Sequence, residues 1–229
     1  KIQDYKKVID ISLIFLKKNP NSDIILNLLG LSYQKIGRYD KSETSFLMAH
    51  QINPSNISVI NNLGNNYKYR FEYDKSKQFF YKALEKNSNY TEALLNLGTV
   101  EFALNKNNEA IRFFEKALKT NDKAIPIHLN LAISYQSNGE FKKAIMHLNK
   151  INELNKEFTR ADKMLSSLIN YKDEEDHFQR MLNKLKELKL TDEQKIYLFF
   201  ALGKAYEDKG DYLNALNIDH LNHPGVLAQ

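Results

Sequence analysis

Apolar and polar positions recur along this chain with a helical rhythm. Ala161, Leu165 and Leu168 share one helical face, as do Phe178, Met181, Leu182, Leu185 and Leu188. The pattern predicts a helix over 158–170, a polar junction over 171–176 and a second helix over 177–188. The acidic run Asp173–Asp176 suits the positive start of that second helix. Thr191 predicts the N-cap of a further helix, with Gln194 at the capping-box position.

The helical pattern is itself periodic. Gly30, Gly64 and Gly98 are spaced by 34 residues, and the same step reaches Ala132. Leucine precedes each of them, and Tyr33, Tyr67, Glu101 and Tyr135 follow three residues later. The second half of each unit aligns Ser42, Ser76, Ala110 and Ala144, then Phe46, Phe80, Phe114 and Leu148, then Ala49, Ala83, Ala117 and Ile151. A glycine inside a helix costs about 1 kcal/mol relative to alanine, so its recurrence predicts close approach of a second helix. Gly203 falls in the same packing position, and Gly37, Gly139 and Gly210 fall at the turn between helices.

These residues resemble the tetratricopeptide repeat, a pair of antiparallel helices. The resemblance implies an all-α fold, a right-handed superhelical solenoid with a concave side, and binding of a protein or extended peptide there. The units are read as 23–56, 57–90, 91–124 and 125–158. Residues 1–22 are expected to be the second helix of a truncated repeat, since Pro20 lies 34 before Pro54. An atypical helix pair is expected over 159–190, an incomplete repeat over 191–217 and an irregular tail over 218–229.

A narrower resemblance rests on Arg160-Ala161-Asp162, Met164-Leu165-Ser166, His177-Phe178, Met181 and the run Phe199 to Asp208. It is similar to the stretch joining repeats to the catalytic domain in bacterial tetratricopeptide-repeat sulfotransferases. That similarity implies a substrate-recruiting arm. The chain departs from the family at Ile218-Asp219-His220-Leu221-Asn222-His223-Pro224-Gly225 and contains no glycine-rich phosphate loop. It is therefore read as non-catalytic, with no cofactor.

The candidate binding residues are asparagines. Asn62, Asn96 and Asn130 precede the Leu-Gly or Leu-Ala pair in three consecutive units, with Asn27 and Asn61 nearby. The arrangement resembles the asparagine ladder of the O-GlcNAc transferase repeats, which implies amides that hold the backbone of an extended peptide. An amide both donates and accepts, so it reads a peptide group whatever the side chain. Hydrogen bonding within the solenoid is the competing role for the same side chains. Asn65, Tyr69, Thr99 and Phe102 are expected to add contacts, and Lys35 and Lys68 to meet acidic groups. Glu92 and Pro126 stand where a chaperone-tail clamp would need basic or permissive residues.

Composition narrows the remaining classes. A chain 42% hydrophobic and 27% charged suits a folded domain, and eight glycines and four prolines are too few for a turn-rich β-sandwich. Without cysteine there is no disulfide, thiolate metal site or cysteine nucleophile. The net charge of +5 is carried by lysines interleaved with acids rather than by a basic stripe, so nucleic acid is not an expected partner. No apolar run approaches the roughly 20 residues that cross a bilayer, so no membrane partner is expected either. Asp219, His220 and His223 read as solvated rather than metal-binding, and His50, His128 and His147 as dispersed over different repeats. A cytoplasmic location, a role as an assembly scaffold and self-association through exposed repeat ends complete the expectations.

Overall fold

The computed structural model describes residues 2–222, with side chains over 3–218. The described residues form thirteen α-helices and no strand. They divide into two compact units, Lys1–Asp122 and Lys123–Gln229. The first contains α1 (Ile2–Lys18), α2 (Asp23–Lys35), α3 (Tyr39–Ile52), α4 (Ile57–Tyr69), α5 (Tyr73–Lys86), α6 (Thr91–Ala103) and α7 (Asn107–Thr120). The second contains α8 (Ile125–Ser137), α9 (Phe141–Leu154), α10 (Arg160–Ser166), α11 (Glu175–Glu187), α12 (Asp192–Asp208) and α13 (Tyr212–Asn222).

Helices pair in chain order: α2 with α3, α4 with α5, α6 with α7, α8 with α9 and α12 with α13. The glycine rhythm has a direct steric cause. A Cβ placed on Gly30, Gly64 or Gly98 would lie 2.5, 2.5 or 2.4 Å from a ring carbon of Phe46, Phe80 or Phe114 respectively. Each phenylalanine therefore lies against a bare helix backbone. In the second unit Ala132 and Leu148 are both fully buried in one apolar cluster, a larger small residue matched to a smaller large one. Ser42 and Ser76 do more than keep their positions small, because their hydroxyls donate to the carbonyls of Gly30 and Gly64, each at 2.8 Å.

The turn inside each pair repeats as faithfully. Gly37, Gly139 and Gly210 have φ between 74° and 76°, and Phe71 (61°) and Asn105 (60°) occupy the same left-handed position in their repeats. The next N–H closes the turn: Arg38 donates to the Tyr33 carbonyl at 2.8 Å, Glu72 to Tyr67 at 3.0 Å, Lys106 to Glu101 at 2.8 Å and Glu140 to Tyr135 at 2.8 Å. The turn is thus set by backbone geometry, and two repeats adopt it without glycine.

The later part of the second unit departs from this regularity. The helix expected over 158–170 is the short α10, which ends at Ser166 because the hydroxyls of Ser166 and Ser167 bond back to the carbonyls of Lys163 and Met164. Helix α10 packs on α9 and α12 and meets α11 through side chains. Glu174 caps α11 by accepting the His177 N–H, and Thr191 and Gln194 form a reciprocal capping box on α12. The last helix runs on through Asn222, where an irregular tail was expected from residue 218. The stretch Ile218 to Asn222 contains neither proline nor glycine to stop it. The side chains of Asp219, His220 and His223 lie outside the described residues.

Candidate functional site

In the first unit the first helices of successive pairs, α2, α4 and α6, lie side by side. Residues 35 apart, one more than the repeat length, therefore meet. Asn62 Nδ2 donates to Asn27 Oδ1 at 2.9 Å, and Asn96 Nδ2 donates to Asn61 Oδ1 at 3.2 Å. Lys68 Nζ donates to Asn96 Oδ1 at 2.7 Å. Asn61 is buried, whereas Asn27, Asn62, Asn96 and Lys68 are half-buried. An amide offers two N–H groups and two acceptor lone pairs, so these cross-links leave capacity. Asn62, for example, spends one N–H and keeps its carbonyl oxygen.

Asn65 is half-buried on α4, and Tyr69 ends that helix with its ring stacked on Tyr39 at 6.0 Å. Asn130 is half-buried on α8, in the other unit. The structure thus brings Asn27 to Asn62, and Asn61, Asn96 and Lys68 to one another.

Lys68 forms no ion pair among the described residues, and burial pushes its pKa down to about 8. Its ammonium lies 5.7 Å from the centre of the Tyr69 ring. Nearby charges are otherwise paired. Glu43 accepts from the Tyr67 hydroxyl and from Arg70, each at 2.5 Å, and Arg70 also holds Glu72 at 2.8 Å. Burial, reinforced by the bond to Glu43, pushes the Tyr67 hydroxyl up to about 12. Glu101, which takes the place of a tyrosine in its repeat, is buried and held by Lys77 at 2.5 Å.

The second unit contains a polar cluster that sequence reading missed. Asp162 is fully buried and accepts from Lys184 Nζ at 2.7 and 2.9 Å and from Asn152 Nδ2 at 3.0 Å. His177 Nε2 lies 3.1 Å from the same carboxylate, and its Nδ1 lies 2.7 Å from the Tyr171 hydroxyl. The signal in the sequence was Lys184 on the otherwise apolar-flanked stripe of α11. The expectation that the histidines are dispersed is corrected: His128 and His147 belong to one repeat, and the antiparallel packing of α8 and α9 brings their Nδ1 atoms to 2.9 Å. No group of three or more His, Asp or Glu side chains with metal-binding geometry occurs among the described residues. None of the described helices is long and apolar enough to cross a membrane.

Comparison with known proteins agrees with the repeat fold. Residues 25–56, 57–87 and 101–168 each match the tetratricopeptide repeat family. No curated protein sequence matches the chain. Among solved structures, the C-terminal part of a repeat-containing protein from Cytophaga hutchinsonii superposes with a TM-score of 0.73 at 15% identity, over 98% of this chain and 92% of that one. PilF from Pseudomonas aeruginosa gives 0.67 at 20% identity, over 90% and 93%. YrrB, described as having an unusual peptide-binding site, gives 0.56 at 16% identity, over 91% and 97%. At these identities the likeness is one of fold.

Proposed function

From a chain that carries tetratricopeptide repeats, we propose a protein-interaction module whose first unit holds an extended peptide along α2, α4 and α6. A repeat fold of this kind typically binds other proteins rather than catalysing a reaction. The bonds of Asn62 to Asn27 and of Asn96 to Asn61 and Lys68 are the competing role within the solenoid, and what supports the finer reading is the donor and acceptor capacity that they leave along this row. Side chains held this way lose little rotamer freedom when a ligand arrives, and their remaining donors and acceptors suit peptide groups. Lys68 adds specificity, since a half-buried ammonium without a carboxylate partner favours an acidic side chain on the peptide. Asn65 and Tyr69 extend the candidate set in the first unit, and Asn130 is a separate candidate in the second.

Each amide contact contributes about 0.5–1.5 kcal/mol, so three rungs alone give weak binding and the charge at Lys68 must add to it. The test is a titration with fluorescent peptides of varied charge. The unaltered chain is compared with a triple Asn62→Ala, Asn96→Ala, Asn130→Ala variant and with Lys68→Gln. Loss of binding in the triple variant, with loss of acidic preference in Lys68→Gln, is expected. Equal affinities would dispose of the reading.

A second reading keeps the similarity of residues 160–208 to the repeat region of sulfotransferases, so that this chain would be a recruiting arm. In its favour, two residues that carry the similarity meet, since Asp162 lies 3.1 Å from His177. The downstream reading frame tests it, because a strand followed by a phosphosulfate-binding loop is required. Scaffolding through self-association is supported by the exposed Ile11 and Ile14 on α1 and Ile24 on α2. It predicts a sedimentation coefficient that rises with concentration.

A further inference from the structure

Helices α10 and α12 lie side by side in the second unit, and side chains from both meet at the surface. On α12, Ile196, Tyr197 and Phe200 stand at i, i+1 and i+4 and so share one face. Ile196 is 41% and Phe200 44% exposed, and Tyr197 is half-buried. Lys163 reaches them from α10: its ammonium lies 4.4 Å from the centre of the Phe200 ring and 5.7 Å from that of Tyr197. Both distances fall within the roughly 6 Å of a cation–π contact.

Single exposed apolar side chains are ordinary, so the charge held among these is the informative feature. Lys163 is exposed, and its ammonium forms no ion pair or hydrogen bond among the described residues. The neighbouring lysines of α12 are paired, Lys195 with Asp192 at 4.0 Å and Lys204 with Asp208. Arg160, one turn before Lys163 on α10, is exposed and adds a second positive charge. Glu193, one turn before Tyr197, accepts from the Tyr197 hydroxyl at 3.3 Å. An aromatic face attracts a cation without neutralising it, so Lys163 keeps its charge for a further partner. The rings also restrict the lysine side chain, so less rotamer freedom is lost when that partner arrives.

The complementary group is a carboxylate, and Ile196 with the edge of Phe200 offers cover to an apolar side chain beside it. Single-stranded nucleic acid fits less well. A base stacks on an open aromatic face, whereas the face of Phe200 is covered by the ammonium and Glu193 repels a phosphate backbone. We propose that this α10–α12 patch docks a peptide segment of a partner protein that presents a carboxylate close to a large apolar side chain. The carboxylate pairs with Lys163, and the apolar side chain packs on Ile196 and Phe200. The inference is independent of the peptide reading above, which concerns α2, α4 and α6 in the first unit.

The test is a nuclear magnetic resonance titration of the labelled full chain with four blocked hexapeptides that carry a glutamate one, two, three or four residues from a leucine. Counterparts replace the glutamate by glutamine or the leucine by glycine, and oligothymidylate serves as the nucleic-acid probe. Saturable shifts at the amides of Lys163, Ile196, Tyr197 and Phe200 are expected with at least one glutamate–leucine peptide. Its two counterparts should bind at least about threefold more weakly, and oligothymidylate should leave these amides unmoved. Lys163→Gln should erase the preference for glutamate over glutamine, and Phe200→Ala the preference for leucine over glycine, with the rest of the spectrum unchanged because both positions are exposed. Lys68→Gln should leave the shifts on α10 and α12 as they are, which separates this site from the groove of the first unit. The proposal is overturned if no glutamate–leucine peptide moves these amides, if the glutamine counterpart binds as tightly, if Lys163→Gln keeps the preference, or if oligothymidylate moves the same amides.

Discussion

The pairing of a bare helix backbone with a phenylalanine ring predicts a specific coupling between Gly98 and Phe114. In Gly98→Ala the new methyl would lie 2.4 and 2.5 Å from two ring carbons and 2.9 Å from a third, whereas carbon contacts are comfortable at about 3.5–4.0 Å. Phe114 is 1% exposed and has no open side to retreat into. Overpacking of this kind costs about 1–3 kcal/mol or more, partly offset by about 1 kcal/mol of helix propensity gained. The expected net loss is about 1–2 kcal/mol. Phe114→Leu alone leaves a void and should lose about 1–2 kcal/mol. The double variant recreates the Ala132 and Leu148 combination that the second unit already uses. It should therefore fall short of the summed single losses by about 1–3 kcal/mol. Urea denaturation of all four proteins by far-UV circular dichroism measures this, with hydrogen exchange on α6 and α7 to localise it. A double variant that loses the sum of the two singles within about 0.5 kcal/mol would refute the steric argument.

Three further outcomes follow from the same coordinates. Phe71 is 77% exposed and sits in the left-handed region where other repeats place glycine, so Phe71→Gly should stabilise the fold by about 0.5–1 kcal/mol in denaturant titration. Lys184→Met leaves the fully buried Asp162 without its main cation and should cost about 3–5 kcal/mol by calorimetry, while Asp162→Leu combined with Lys184→Met should cost less. Lys68 has a pKa of about 8 when folded, below its ordinary 10.5. Above about pH 8 the unfolded chain therefore binds more protons at this site, and stability gains from it as pH rises. Lys68→Met should accordingly be more stable than the parent by about 1–2 kcal/mol at pH 7, with the gap narrowing towards pH 9, read from urea midpoints across that range.

What the sequence made legible and what it hid divide along a physical line. Terms that recur every repeat were readable, because each is sampled several times: the Gly30, Gly64 and Gly98 approach, the phenylalanines that fill it, and the Thr191 and Gln194 cap that uses only local geometry. The left-handed turn was legible at Gly37, Gly139 and Gly210 and hidden at Phe71 and Asn105, since the closing hydrogen bonds fix the backbone and glycine only lowers the strain. The asparagine row was legible as a list, but its bonding was not. Asn62 reaches Asn27, and Asn96 reaches Asn61 rather than Asn62, a choice set by a one-residue offset between neighbouring helices. The Asp162 cluster was hidden because it occurs once, joins α9, α10 and α11 across long sequence separations, and depends on two serines ending α10 early. Repetition averages out local accidents and so shows the scaffold. The Asp162 cluster lies where the repeat fails, and α10 is where it fails most.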